Sequence, residues 1–124
     1  MTIMQAIQEA DNLVPNAYTT AEKVAWLSSL DGLINREVVS THEERSDRIE
    51  FSEYDENTPM DTLLLARFPY DNIYVPWLCS KIELANDEIT KYNNHIMVFN
   101  TLYTQFVNAY NRENEPNGTK IRYF

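Results

Sequence analysis

Twenty consecutive residues, Tyr92 to Asn111, carry no formal charge, in a chain where 23% of residues are Asp, Glu, Lys or Arg. Across this run Ile89, Tyr92, Ile96, Phe99, Tyr103, Phe106 and Tyr110 recur at spacings of three and four residues, which is the seam of a helix that packs along its whole length. Val98, Leu102 and Ala109, with Met97 beside them, make a second stripe off that seam. Residues 87–112 would form a rod of about 39 Å at 1.5 Å per residue. The run also holds five asparagines, each a poorer helix former than alanine by a few tenths of a kcal/mol, so local propensity did not select them. A membrane span is excluded, because Asn93, Asn94, His95, Asn100, Thr101, Thr104, Gln105, Asn108 and Asn111 would carry too many polar groups into hydrocarbon. The reading that remains is a helix buried on more than one side, with amides supplying uncharged hydrogen bonds at a packed boundary, where charge is depleted. A subunit interface is favoured over the central helix of a monomeric bundle.

The rest of the chain fits a helical setting. At 124 residues it is one domain by length, able to bury one core. Two glycines and five prolines among 44% hydrophobic and 12% aromatic residues argue for an ordered, turn-poor chain,. The expected fold is all-α: a small domain of about four helices, 1–124, with a long C-terminal helix, a long acidic loop or arm at 40–61 and a tail at 113–124.

Ile3, Ala6, Ile7 and Ala10 lie at helical spacing behind Thr2, a candidate N-cap, and Pro15 ends this first helix,. Thr19 stands three residues before Glu22, the capping-box spacing, and Val24, Leu27, Leu30, Ile34 and Val38 then repeat as a second helix,. Gly32 inside it costs about 1 kcal/mol relative to alanine and signals either close packing or an early fray. From Ser40 to Asp61 the periodicity vanishes and acids accumulate. Within that loop Ile49, Phe51 and Tyr54 alternate with polar residues, as in a short strand or a docking arm. A third helix is expected from near Asp71, bent by Pro76, with its junction to the last helix at Asn86 left open.

Charge and cysteine usage narrow the function classes. Net charge is −9; residues 1–60 hold twelve acids and four bases, and residues 61–124 seven acids and six bases. Binding nucleic acid through its phosphates needs clustered Lys and Arg, which this sequence lacks. Cys79 is the only cysteine, so no intramolecular disulfide forms, and it reads as a small buried hydrophobe. The first basic residue is Lys23, and the opening residues do not have the form of a signal peptide. There is no Gly-rich phosphate loop, H-E-x-x-H, EF-hand or nucleophile elbow. His42 with Glu43 and Glu44 lacks a second ligand cluster, and no motif places a carboxylate or nucleophile near His95. The sequon at Asn117 carries no weight without a secretion signal. No cofactor, metal or catalysis is expected.

The ordered series from Pro69 to Arg112 resembles the small head-tail connector (adaptor) proteins of long-tailed bacteriophages and prophages. That family runs from a P-Y-D-x-x-Y segment through a K-I helix to E-I-x-x-Y-N-N, then F-N, Y-x-x-F and Y-N-R. The matching residues are Pro69, Tyr70, Asp71 and Tyr74; Lys81 and Ile82; Glu88, Ile89, Tyr92, Asn93 and Asn94; Phe99 and Asn100; Tyr103 and Phe106; Tyr110, Asn111 and Arg112. The second helix and the acidic loop after it are also similar, so the resemblance covers most of the chain, and Pro76 departs from it. It implies a virion structural protein, present in the host cytoplasm before assembly. Such proteins form a ring, commonly of twelve subunits, beneath the portal protein; the ring extends the DNA channel and docks the next connector or tail component. DNA would pass without specific binding, a role that an acidic chain suits, and no membrane is involved. Tyr70, Tyr74, Trp77, Tyr92, Asn93, Asn94, Phe99, Asn100, Tyr103, Phe106, Tyr110 and Arg112 are the candidates for core and subunit packing, with Arg112 placed to cap carbonyls or pair with a neighbouring acid. Two other classes stay open: a DNA mimic, which needs its acids on a rigid face, and a cytosolic helical regulator that dimerises through the seam.

Overall fold

A computed structural model describes residues 1–39 and 51–113, with the side chains of Val39 and Glu113 excepted. The described residues form four α-helices, α1 (Ile3–Leu13), α2 (Thr20–Ile34), α3 (Tyr74–Ala85) and α4 (Ile89–Glu113), and no strand. The all-α expectation holds, including the long C-terminal helix.

Helix α1 begins as its sequence dictates. The Gln5 amide donates to Thr2 Oγ1 at 3.1 Å and the Thr2 amide to Gln5 Oε1 at 2.9 Å, a reciprocal cap. Two further free N–H groups at this end, those of Ile3 and Met4, donate to the carbonyls of Thr62 at 3.1 Å and Met60 at 3.0 Å, so a distant loop completes the helix start. Ile3, Ala6, Ile7 and Ala10 form the buried stripe. Helix α2 repeats the device with Thr19 and Glu22. It buries Val24, Leu27, Leu30 and Ile34, together with Lys23 and Asp31, and runs on as a single π-helical turn, Asn35–Val39, in which Val38 is buried.

Residues 51–69 lie along this framework. The Tyr54 amide donates to Ser28 Oγ at 2.9 Å, and the ring of Phe51 lies 3.8 Å from where a Cβ on Gly32 would stand. That spacing is ordinary van der Waals contact, so packing against Phe51 does not require glycine at this position. Residues 51–54 carry no strand ladder; Ile49 and His42, Glu43 and Glu44 lie outside the described residues, as does Asn117. Leu63 bridges Thr2 in antiparallel fashion, and Leu64 and Ala66 are fully buried. The Phe68–Pro69 peptide is cis.

The third helical segment starts as a 3₁₀ turn, Tyr70–Ile73, and becomes α3 at Tyr74. Pro76 falls near the helix start as expected, in the first turn of α3, where its missing N–H has no i−4 partner within the α-helix,. Helices α3 and α4 are separate: the Glu88 amide donates to the Glu83 carbonyl at 2.9 Å and the Asp87 amide to Leu84 at 3.1 Å, with Asp87 at φ 61°. This is the paired-bond ending in which one left-handed residue stops a helix. Helix α4 then returns antiparallel along α3, as the pairs Glu83–His95, Trp77–Phe99 and Tyr70–Phe106 show.

Candidate interaction surface

The heptad-spaced seam of α4 faces α3 of the same chain. Phe99, Phe106 and Ala109 are buried, and Ile96, Leu102, Tyr103 and Tyr110 pack partly buried against the core. The rings form a continuous file. Trp77 and Phe99 have centroids 5.1 Å apart, Phe99 stacks on Tyr103 at 5.4 Å, and Tyr103, Phe106 and Tyr110 follow at 6.0 and 6.1 Å, with Tyr70 6.5 Å from Phe106. Such offset and tilted pairs add directional attraction to burial. The Tyr103 hydroxyl is buried in this file without a hydrogen-bond partner among the described residues.

The candidate set thus divides. Tyr70, Tyr74, Trp77, Phe99, Tyr103, Phe106 and Tyr110 belong to the intramolecular packing, and Tyr92 is half-buried. Asn93, Asn94, Asn100 and Arg112 are exposed. Among the described residues of one chain, α4 is buried on the side that faces α3. A 3.6-residue period locates a packing face; it does not say whether the other face is covered.

The outer face is apolar or amide-bearing and uncharged between Lys91 and Arg112. On this face Met97 and Val98 are 66% and 48% exposed, and Ile89, the first residue of the seam, is itself 49% exposed at the helix start. The hydroxyls of Thr101 and Thr104 turn back to the carbonyls of Met97 at 3.2 Å and Asn100 at 2.9 Å, which reduces the polarity they offer outward. Met97, Val98, Thr101 and Leu102 line a shallow depression of about 290 Å³. Beside the C-terminal part of α4, Phe68 is 86% exposed at the edge of a hollow of about 200 Å³ that also includes Tyr70, Phe106 and Tyr110. Exposed apolar area of this kind marks contact surfaces.

Of the four buried polar residues among those described, Asp31, Lys23 and Glu83 are ionisable and Ser80 is not. Asp31 is fully buried; Oδ1 accepts from the Tyr74 hydroxyl at 2.6 Å, and Oδ2 from the Tyr54 hydroxyl at 2.5 Å and the Leu65 amide at 2.9 Å. Burial raises its carboxyl above the ordinary range, and the donors from Tyr54, Tyr74 and Leu65 oppose that rise,. Burial next to this carboxylate also drives both phenols upward. Lys23, 5% exposed, pairs with Asp11 at 2.8 Å. Glu83, 2% exposed, has its Oε1 2.7 Å from His95 Nδ1.

No sequence motif foretold the His95–Glu83 pair. It joins α3 to α4 at the edge of a cavity of about 360 Å³ walled by Leu13, Val14 and Pro15. The Cys79 thiol is pushed up to about 12 by burial and by the carboxylates of Glu83 and Asp11, which makes it a poor nucleophile. Among the described residues no three His, Cys, Asp or Glu side chains gather as metal ligands, and no helix is long and apolar enough to cross a membrane. Asp31 carries a sequence signal of its own: it stands four residues after Leu27 and three before Ile34, on the buried stripe of α2.

Comparison of the chain with protein-family models, with curated proteins and with solved structures gives no match.

Proposed function

We propose that this chain is a structural subunit of the head-tail connector of a tailed bacteriophage or prophage. It would assemble with copies of itself, on the order of twelve, into a ring below the portal protein and present a docking surface to the next connector or tail component. The role is non-catalytic, the site of action is the virion, and DNA passes through the ring without specific contact. The observation that carries this reading is the outer face of α4, a charge-free helical surface with Met97 and Val98 about half or more exposed. Surfaces that pack side by side in an assembly lose charge in this way. The ordered resemblance from Pro69 to Arg112 supplies the choice of assembly, and the acidic balance of the chain agrees with a channel that must not retain a polyanion.

Electron microscopy of the purified protein with and without portal rings tests the reading. The expected result is an additional ring stacked on the portal. Absence of portal binding together with a tight dimer by light scattering would overturn it in favour of a helical regulator.

A further inference from the structure

Two apolar features are exposed among the described residues and differ in shape. Phe68 projects, being the most exposed large hydrophobic residue among those described, at 86%. The hollow at Met97, Val98, Thr101 and Leu102 is concave, about 290 Å³, and its lining is almost wholly apolar. The depression is shallow and open, so a phenyl ring would lie against it rather than be enclosed by it. Projection and hollow lie on separate surfaces. Phe68 flanks Phe106, Ala109 and Tyr110, whereas Met97 and Val98 sit two or more turns toward the N-terminus of α4, on the side turned away from the aromatic seam,.

Charge selects the occupant. Two copies with net charge −9 repel, and contact between them is least opposed where acids are absent. The hollow lies inside the charge-free run. The charged residue adjacent to Phe68 is Arg67, exposed although its Nη1 donates to the Leu64 carbonyl at 3.0 Å, and its positive charge favours approach to an acidic copy.

We propose that Phe68 of one copy seats in the Met97, Val98, Thr101 and Leu102 hollow of the next. Because each copy offers a projection on one surface and a socket on another, the contact is heterologous: it closes into a ring where the rotation per subunit allows, and otherwise runs on as a filament. The proposal rests on the connector reading for ring closure and deepens it by assigning the contact between subunits.

The test uses the full chain and two surface variants, Phe68→Glu and Val98→Glu, with Phe68→Ala and Val98→Ser as uncharged counterparts and circular dichroism to establish that each keeps its helices. Sedimentation velocity is followed up to about 1 mM protein, the weak limit of a specific contact. The wild type is expected to self-associate with rising concentration. Each variant alone is expected to do so at least tenfold more weakly, the loss of a single anchor at an interface. An equimolar mixture of the two glutamate variants retains one intact projection and one intact socket, so it should form a one-to-one pair that grows no further. A wild type that stays monomeric at the highest concentration, variants that associate like wild type, or a mixture that fails to pair each overturns the proposal. Imaging with portal separates this from the wider reading. Rings of both variants on the portal leave the connector and refute the contact; wild-type association through this contact with no portal binding does the reverse.

Discussion

The Tyr74 hydroxyl donates to Asp31 Oδ1 at 2.6 Å, joining two fully buried side chains 43 residues apart. The same carboxylate holds the Tyr54 hydroxyl and the Leu65 amide through its other oxygen. Helix α2, the segment from 51 to 69 and the start of α3 therefore meet at one acid. A hydrogen-bonded network of this kind fixes the arrangement as long as every member is satisfied.

Asp31→Ala strands two tyrosine hydroxyls and an amide. At about 1–3 kcal/mol for each buried group left unpaired, the expected loss is about 3 kcal/mol or more. Asp31→Asn should cost less, since its carbonyl still accepts on one side while its amide nitrogen cannot. Urea midpoints at constant m-value measure both; an alanine variant within about 1 kcal/mol of wild type would show the network to be dispensable.

The acidity of Asp31 gives a pH dependence with a definite sign. Burial raises its carboxyl from the ordinary 3.8, so the folded chain holds this proton more tightly than the unfolded one. The group's contribution is full below 3.8 and declines as pH rises through its folded value,. The stability advantage of wild type over Asp31→Asn should accordingly shrink with rising pH. Denaturant titrations from pH 4 upward read the difference, and an advantage that grows with pH would contradict the assignment.

Gly32→Ala should stabilise the fold by up to about 1 kcal/mol, the helix-propensity difference. The added methyl meets the Phe51 ring at 3.8 Å, an ordinary contact. Thermal melting decides the sign; a lowered midpoint would mean that Phe51 needs more room than this spacing provides.

Asp87 adopts φ 61° to end α3, a conformation that costs an L-residue roughly 1–2 kcal/mol and glycine little. Asp87→Gly is expected to raise stability by about 1 kcal/mol without altering helix content. Chemical denaturation with far-ultraviolet dichroism checks both parts.

Tyr103→Phe removes a buried hydroxyl that has no partner among the described residues while keeping the ring stacked between Phe99 and Phe106. Its expected effect is neutral to a gain of about 1 kcal/mol, seen in the unfolding midpoint. A substantial loss would reveal that the hydroxyl is bonded.

Local chemistry was legible in the sequence because it is self-contained. The Thr2–Gln5 and Thr19–Glu22 spacings carry their caps within one turn, and the three-and-four spacing from Ile89 to Tyr110 needs only the helical period to be read. Covering was not legible, since an aromatic stripe looks the same whether it meets its own chain or another. The Glu83–His95 pair depends on the corner: pairs 83 with 95, 77 with 99 and 70 with 106 share a midpoint near residue 88, which follows only once the Asp87 turn is known. Asp31 lies within the periodicity, but spacing alone does not reveal its burial, because ionisable residues are rarely buried without a partner and its partners Tyr54, Leu65 and Tyr74 are distant in sequence,.

Both tryptophans meet at one joint, where the Trp77 indole N–H donates to the Trp26 carbonyl at 2.9 Å, Lys81 covers the Trp77 ring at 4.4 Å and Tyr18 meets Trp26 edge-on at 5.8 Å. The chain holds no other tryptophan. Its intrinsic fluorescence is consequently a single-locus reporter of the α2–α3 joint. Emission will register separation of those helices, while events confined to the outside of α4 pass without a spectral trace unless they are relayed inward through Phe99.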